Sequence, residues 1–105
     1  MFTAGTPTDG PAAGDVLVTS LPVTSPRQYI VKVSIASEAP FWAVFIHRTS
    51  AGGEGSRIYL PCIGSMFGSA DLAKIYFAEG DYGEIIVREG VATVSGTVQA
   101  NIELA

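Results

Sequence analysis

The sequence predicts an all-β domain, a small antiparallel two-sheet sandwich of about eight short strands. Three observations carry this. From Val91 to Leu104 (V-A-T-V-S-G-T-V-Q-A-N-I-E-L), Ala92, Val94, Gly96, Val98, Ala100, Ile102 and Leu104 alternate with Thr93, Ser95, Thr97, Gln99, Asn101 and Glu103. A two-residue period of apolar or small against polar side chains belongs to a strand with one dry face. Upstream, short apolar runs are separated by Gly-, Pro- and Asp-bearing turns, the spacing of a sandwich. The length, 105 residues, suffices for one domain with a core and not for two.

Residues 1–15 carry Gly5, Pro7, Gly10, Pro11 and Gly14, with Phe2 as the only large apolar residue. Such a segment cannot bury enough surface to fold alone. It is expected to be a flexible N-terminal arm, either a disordered tail or an arm that orders on a neighbouring subunit with Phe2 as its anchor. The sandwich then spans residues 16–105.

Val16–Ser20 reads as a first strand, closed by Pro22 and Pro26. Gln28–Ala36 is a clear second strand, with Tyr29, Val31, Val33 and Ile35 on one face. Phe41–Arg48 (F-W-A-V-F-I-H-R) is apolar on both faces: Phe41, Ala43 and Phe45 on one, Trp42, Val44 and Ile46 on the other. In a two-sheet sandwich each sheet has one inner face, so the second apolar face is expected to be a subunit interface or to be covered by a loop of the same chain. Trp42 is a natural anchor there.

Thr49–Ser56 is a glycine-rich hairpin loop. Arg57–Cys62 is a short strand, and Gly64–Asp71 is expected to be a second loop exposing Met66 and Phe67. Asp71–Glu79 fits a helix by its Leu72, Ile75 and Tyr76 spacing and a strand by alternation; the all-β surroundings favour the strand. Glu84–Arg88 is a further strand, and Gly96 is a candidate bend dividing the terminal one.

Composition narrows the function. Charged residues are 15 % against 48 % hydrophobic, below the usual ~25 % charged, which implies an exterior either partly covered by other subunits or made neutral by Thr, Ser and Gly. The net charge is −4 and the basic residues stand singly. That argues against binding nucleic acid or a membrane surface. The first ten residues lack a signal peptide's basic and apolar regions, so synthesis and folding in a cytoplasm are expected.

No catalytic or cofactor constellation stands out. His47, the single histidine, follows an apolar run without a second ligand at metal-site spacing. Cys62 lies between Pro61 and Ile63, as a buried inert thiol does. Glu79, Asp81 and Glu84 cluster around one turn, expected to be solvated. No enzyme, cofactor or metal is therefore expected.

The order Tyr29–Ile35, Phe41–Ile46, Phe77–Val87 with its Gly-Asp turn, then Val94–Leu104 resembles jelly-roll domains of the complement-head and tumour-necrosis-factor type. That resemblance implies a jelly-roll-like sandwich and a tight oligomer. A small jelly roll with a Gly/Pro-rich arm and no chemistry is also similar to the cement or decoration proteins of tailed-phage capsids. The similarity implies a homo-oligomer, trimer or dimer, that sits on a virion and binds the major capsid protein across coat-subunit junctions. The alternative is a carbohydrate-binding head of a fibre or adhesin, with Tyr59, Tyr76 or Tyr82 as platforms. The candidate interface residues are Phe2, Trp42, Val44 and Ile46, together with Thr97 and Gln99 on the uncharged polar face of the last strand.

Overall fold

The alternation along residues 27–37 and 97–104 places two strands side by side at the centre of one sheet. Val31, Val33 and Ile35 lie opposite Leu104, Ile102 and Ala100, all pointing inward and all buried. The computed structural model describes residues 1–63 and 66–105, with 66–70 described by their backbone alone. Its strands are β1 (Phe2–Ala4), β2 (Thr8–Asp9), β3 (Val16–Thr19), β4 (Arg27–Ser37), β5 (Phe41–Arg48), β6 (Glu54–Cys62), β7 (Met66–Phe77), β8 (Tyr82–Val87) and β9 (Thr97–Leu104).

Pairing is nested along the chain. β5 pairs with β6, β4 with β7, β3 with β8, and β1 and β2 with β9, every pair antiparallel. The chain is one antiparallel ribbon folded in two, and the fold brings β4 beside β9 and β5 beside β8. One sheet has the order β1-β9-β4-β7, with β2 also on β9; the other is β3-β8-β5-β6. This nested order is jelly-roll topology, and the antiparallel two-sheet sandwich is the one the sequence predicts. Phe45, Leu60, Ile85 and Val87 of the second sheet and Phe77 of the first fill the same core, all essentially inaccessible to water.

The structure departs from the sequence reading at several places. Residues 1–15, expected as a flexible arm, are laid along β9 and the end of β8. The Gly5 amide donates to the Ala100 carbonyl (2.8 Å), that of Gly10 to Gly96 (2.8 Å) and that of Gly14 to Val87 (2.8 Å). Main-chain bonding to an open sheet edge needs no large side chains, which is why composition misses it. The terminal strand begins only at Thr97, because Gly96 turns the chain at φ +84°. The Val94 amide then reaches across to the Pro11 carbonyl (2.9 Å). Met66–Asp71, expected in a loop, belong to β7, whose backbone pairs with β4 as far as Met66↔Ala36. Residues 64–65 of that expected loop lie outside the described residues, as do the side chains of Met66 and Phe67. The ambiguous stretch from Asp71 is strand up to Phe77.

Gly5 shows how tightly the N-terminal segment is seated. A Cβ there would lie 2.5 Å from the Ala100 carbonyl oxygen and 2.7 Å from that of Leu17. Both neighbours are backbone, so neither can swing aside. Gly5→Ala is therefore expected to destabilise the fold by about 1–3 kcal/mol in urea unfolding, the cost of overpacking a filled site. A stability equal to wild type would mean that the segment is not seated on β9.

Candidate functional site

The outer face of the second sheet follows from the alternation of β5. With Phe41, Ala43, Phe45 and His47 inward, Trp42, Val44, Ile46 and Arg48 point outward. Register sets their neighbours: Val44 lies between Ile86 of β8 and Tyr59 of β6, and Ile46 between Glu84 and Arg57.

Val44 and Ile46, expected to face a neighbouring subunit, are buried within the chain itself. Together with Ile86 they form a second small apolar cluster outside the main core. Long polar side chains flank it and bond to one another. Arg57 Nε donates to Glu54 (2.6 Å), and its two terminal nitrogens donate to Glu89 (3.0 and 3.2 Å). Arg48 donates twice to Glu84, both at 3.2 Å. Arginine stems cover apolar surface while their charged ends stay wet, so these side chains replace the expected partner. The Arg57 guanidinium holds the Glu89 carboxyl below its usual value.

Trp42, by contrast, is 40 % exposed, and Tyr59 48 %. The Arg88 guanidinium lies over both rings, 5.6 Å from the Trp42 centroid and 5.1 Å from the Tyr59 centroid. Beside Trp42 runs an open groove of about 320 Å³ lined by Pro40, Phe41, Pro61, Cys62 and Ile63. Ile63 at its rim is 86 % exposed. Trp, Tyr and Arg grouped around an apolar groove is the composition of an interaction hot spot. Sequence reasoning finds Trp42 and misses Arg88, Pro61 and Ile63, because their proximity depends on the β5–β6 and β5–β8 registers.

The other candidates lie elsewhere. Phe2 is 63 % exposed on the edge of the first sheet, opposite Glu103. Thr97 and Gln99 are half-buried on that sheet's outer face. Gln99 Nε2 donates to the Gly5 carbonyl (2.9 Å) and to Asn101 Oδ1; Asn101 Nδ2 donates to Ser34 Oγ (2.9 Å). The Thr97 amide donates to Glu38 Oε1 (2.7 Å).

The acidic turn is not simply solvated. Asp81 is buried at 6 % exposure and accepts from His47 Nε2 (2.9 Å), the Ala78 amide (3.0 Å) and the Ser50 amide (3.2 Å). An ionised carboxylate only accepts, so the imidazole carries its proton on Nε2. His47 also stacks on Phe77, with centroids 4.4 Å apart. Its Nδ1 lies over Gly55, where a Cβ would come within 2.7 Å. The pair, with the Ser50 and Ala78 amides on the same carboxylate, ties the β5–β6 loop to the β7–β8 turn. No group of three or more His, Cys, Asp or Glu suited to a metal occurs among the described residues. Cys62 is buried and its thiol is pushed up to about 11 by that burial, as expected of an inert thiol. No helix among the described residues is long and apolar enough to cross a membrane.

Compared with known proteins, the chain matches no family model, no curated protein and no solved structure.

Burial pushes the Asp81 carboxyl up, but the His47 hydrogen bond and the Ala78 and Ser50 amides pull it down by more, to below its ordinary value. A carboxyl depressed in the folded state stabilises the fold above its unfolded value of about 4, and that contribution fades as pH falls through the folded value. Asp81→Asn is expected to cost about 2 kcal/mol at pH 7, the scale of hydrogen bonds to a charged group. In urea melts from pH 7 to pH 2.5, the gap to wild type should close below about pH 4. A gap that stays constant over that range would contradict the assignment.

Proposed function

We propose that this chain is a structural assembly module of a virion shell, a decoration or cement protein. It self-associates as a dimer or trimer and binds the coat across subunit junctions. One observation carries this reading: a rigid jelly roll of low charge presents Trp42, Tyr59, Pro61 and Ile63 together on one edge of its second sheet. A hot-spot surface on a domain that leaves no buried polar side-chain atom unpartnered among the described residues suits lasting contact with another protein surface. The mechanism is burial of apolar surface at a subunit junction, which resists separation of coat subunits without any chemical step. Synthesis in a host cytoplasm followed by attachment to the particle fits this role.

A second reading is supported by the exposure of Tyr59 and of Tyr76, 60 % exposed on β7. Flat exposed rings are also the platforms of a carbohydrate-binding head.

Three measurements separate the readings. Native mass spectrometry at micromolar concentration should return a dimer or trimer, and the protein should co-sediment with coat shells at a fixed ratio per coat subunit. A monomer that binds no shell overturns the assembly reading. Glycan-array binding that is lost in Tyr59→Ala or Tyr76→Ala would establish the carbohydrate reading instead.

A further inference from the structure

Three arginines point outward from the second sheet, and they are not treated alike. Arg48 is paired with Glu84, and Arg57 with Glu54 and Glu89. Arg88 has no carboxylate within ion-pairing distance among the described residues, and its guanidinium lies over the Trp42 and Tyr59 rings instead. A guanidinium over two half-exposed rings, beside an apolar groove, is complementary to a surface that offers a carboxylate next to a large apolar side chain.

The chain carries such a surface itself. On the outer face of the first sheet, Phe2 of β1 lies directly opposite Glu103 of β9. Cross-strand partners sit side by side on one face. Phe2 is 63 % exposed, and Glu103 has no basic partner among the described residues, since Lys32 beside it is paired with Asp71 at 3.8 Å. The two features cannot meet within one molecule. β1 lies at one edge of the first sheet and β6 at the far edge of the second, with β9, β4 and β7 or β8 and β5 between. Phe2–Glu103 and Trp42–Tyr59–Arg88 therefore face away from each other, as a plug and a socket do.

We infer that copies of this chain join through these two surfaces, Phe2 of one copy entering the groove of the next and Glu103 pairing with Arg88 beside Trp42 and Tyr59. The inference rests on the self-associating reading above and names its contact. Because the two surfaces differ, the contact is heterologous, and it closes into a ring when the rotation between copies permits. Glu103 and Phe2 complete an ion pair and an aromatic cluster that the isolated chain leaves open. The contact is expected to weaken with added salt, as a partly exposed ion pair does.

The test is complementation between two broken copies, followed by analytical ultracentrifugation. Phe2→Ala spoils the plug and Arg88→Glu spoils the socket; each alone should raise the dissociation constant at least roughly tenfold. Mixed one to one, the intact plug of the second should enter the intact socket of the first and restore association. The charge exchange Arg88→Glu/Glu103→Arg should recover it within a single chain. A wild type that stays monomeric at all concentrations overturns both this contact and the self-associating reading. A wild-type oligomer that neither variant weakens overturns this contact alone and leaves that reading standing. Failure of both the mixture and the charge exchange to restore association also overturns the contact.

Discussion

β9 is the strand on which the fold closes. It pairs with β4 on one side and with β1 and β2 on the other, so both ends of the described chain meet on it. Its inward residues Val98, Ala100, Ile102 and Leu104 are all but inaccessible to water. A one-residue slip would turn Thr97, Gln99, Asn101 and Glu103 into the core, so the register is fixed by burial as well as by hydrogen bonds. The nested pairings depend on that register. They are also almost entirely non-local, and a chain of this kind must close large loops before any pair rewards it.

The same register determines what reaches the surface. Because β5 is anchored inward through Phe45 against Ile58 and Ile85, its outward residues fall into rows with β6 and β8. Where a row offers a carboxylate, an arginine folds over the apolar side chains and pairs. Where it offers Trp42 and Tyr59, Arg88 lies over their rings without a carboxylate partner among the described residues. Exposed apolar surface is concentrated at that end of the sheet. The contrast between a covered half and an open half of one sheet face is the physical basis for reading the open half as a contact surface.

Much of this was legible in the sequence, and the rest was hidden for definable reasons. Alternation located β4, β8 and β9, since each has one face in the core and a period of two. The two-sided apolarity of Phe41–Arg48 correctly marked an unusual strand, but periodicity cannot tell a partner's surface from the chain's own arginine stems. Val44 and Ile46 turned out to be covered from within for that reason. β1 and β2 left no signal, because Gly- and Pro-bearing residues paired by main chain alone carry no hydrophobic pattern. The His47–Asp81 tie was invisible because its partners are 34 positions apart. Arg88 and Glu103 read as scattered surface charges until the registers placed one beside Trp42 and the other beside Phe2.

Trp42 is the single tryptophan of the chain and lies in the proposed contact, so its emission reports on that surface alone. The direct test is its fluorescence along a dilution series followed from high micromolar to low nanomolar concentration. A contact through Trp42 predicts a red shift on dilution, in the same concentration range over which the oligomer mass falls, as the indole passes from a covered to a watery environment. Emission that stays unchanged while the oligomer dissociates would contradict it, and would show that copies meet through some other face.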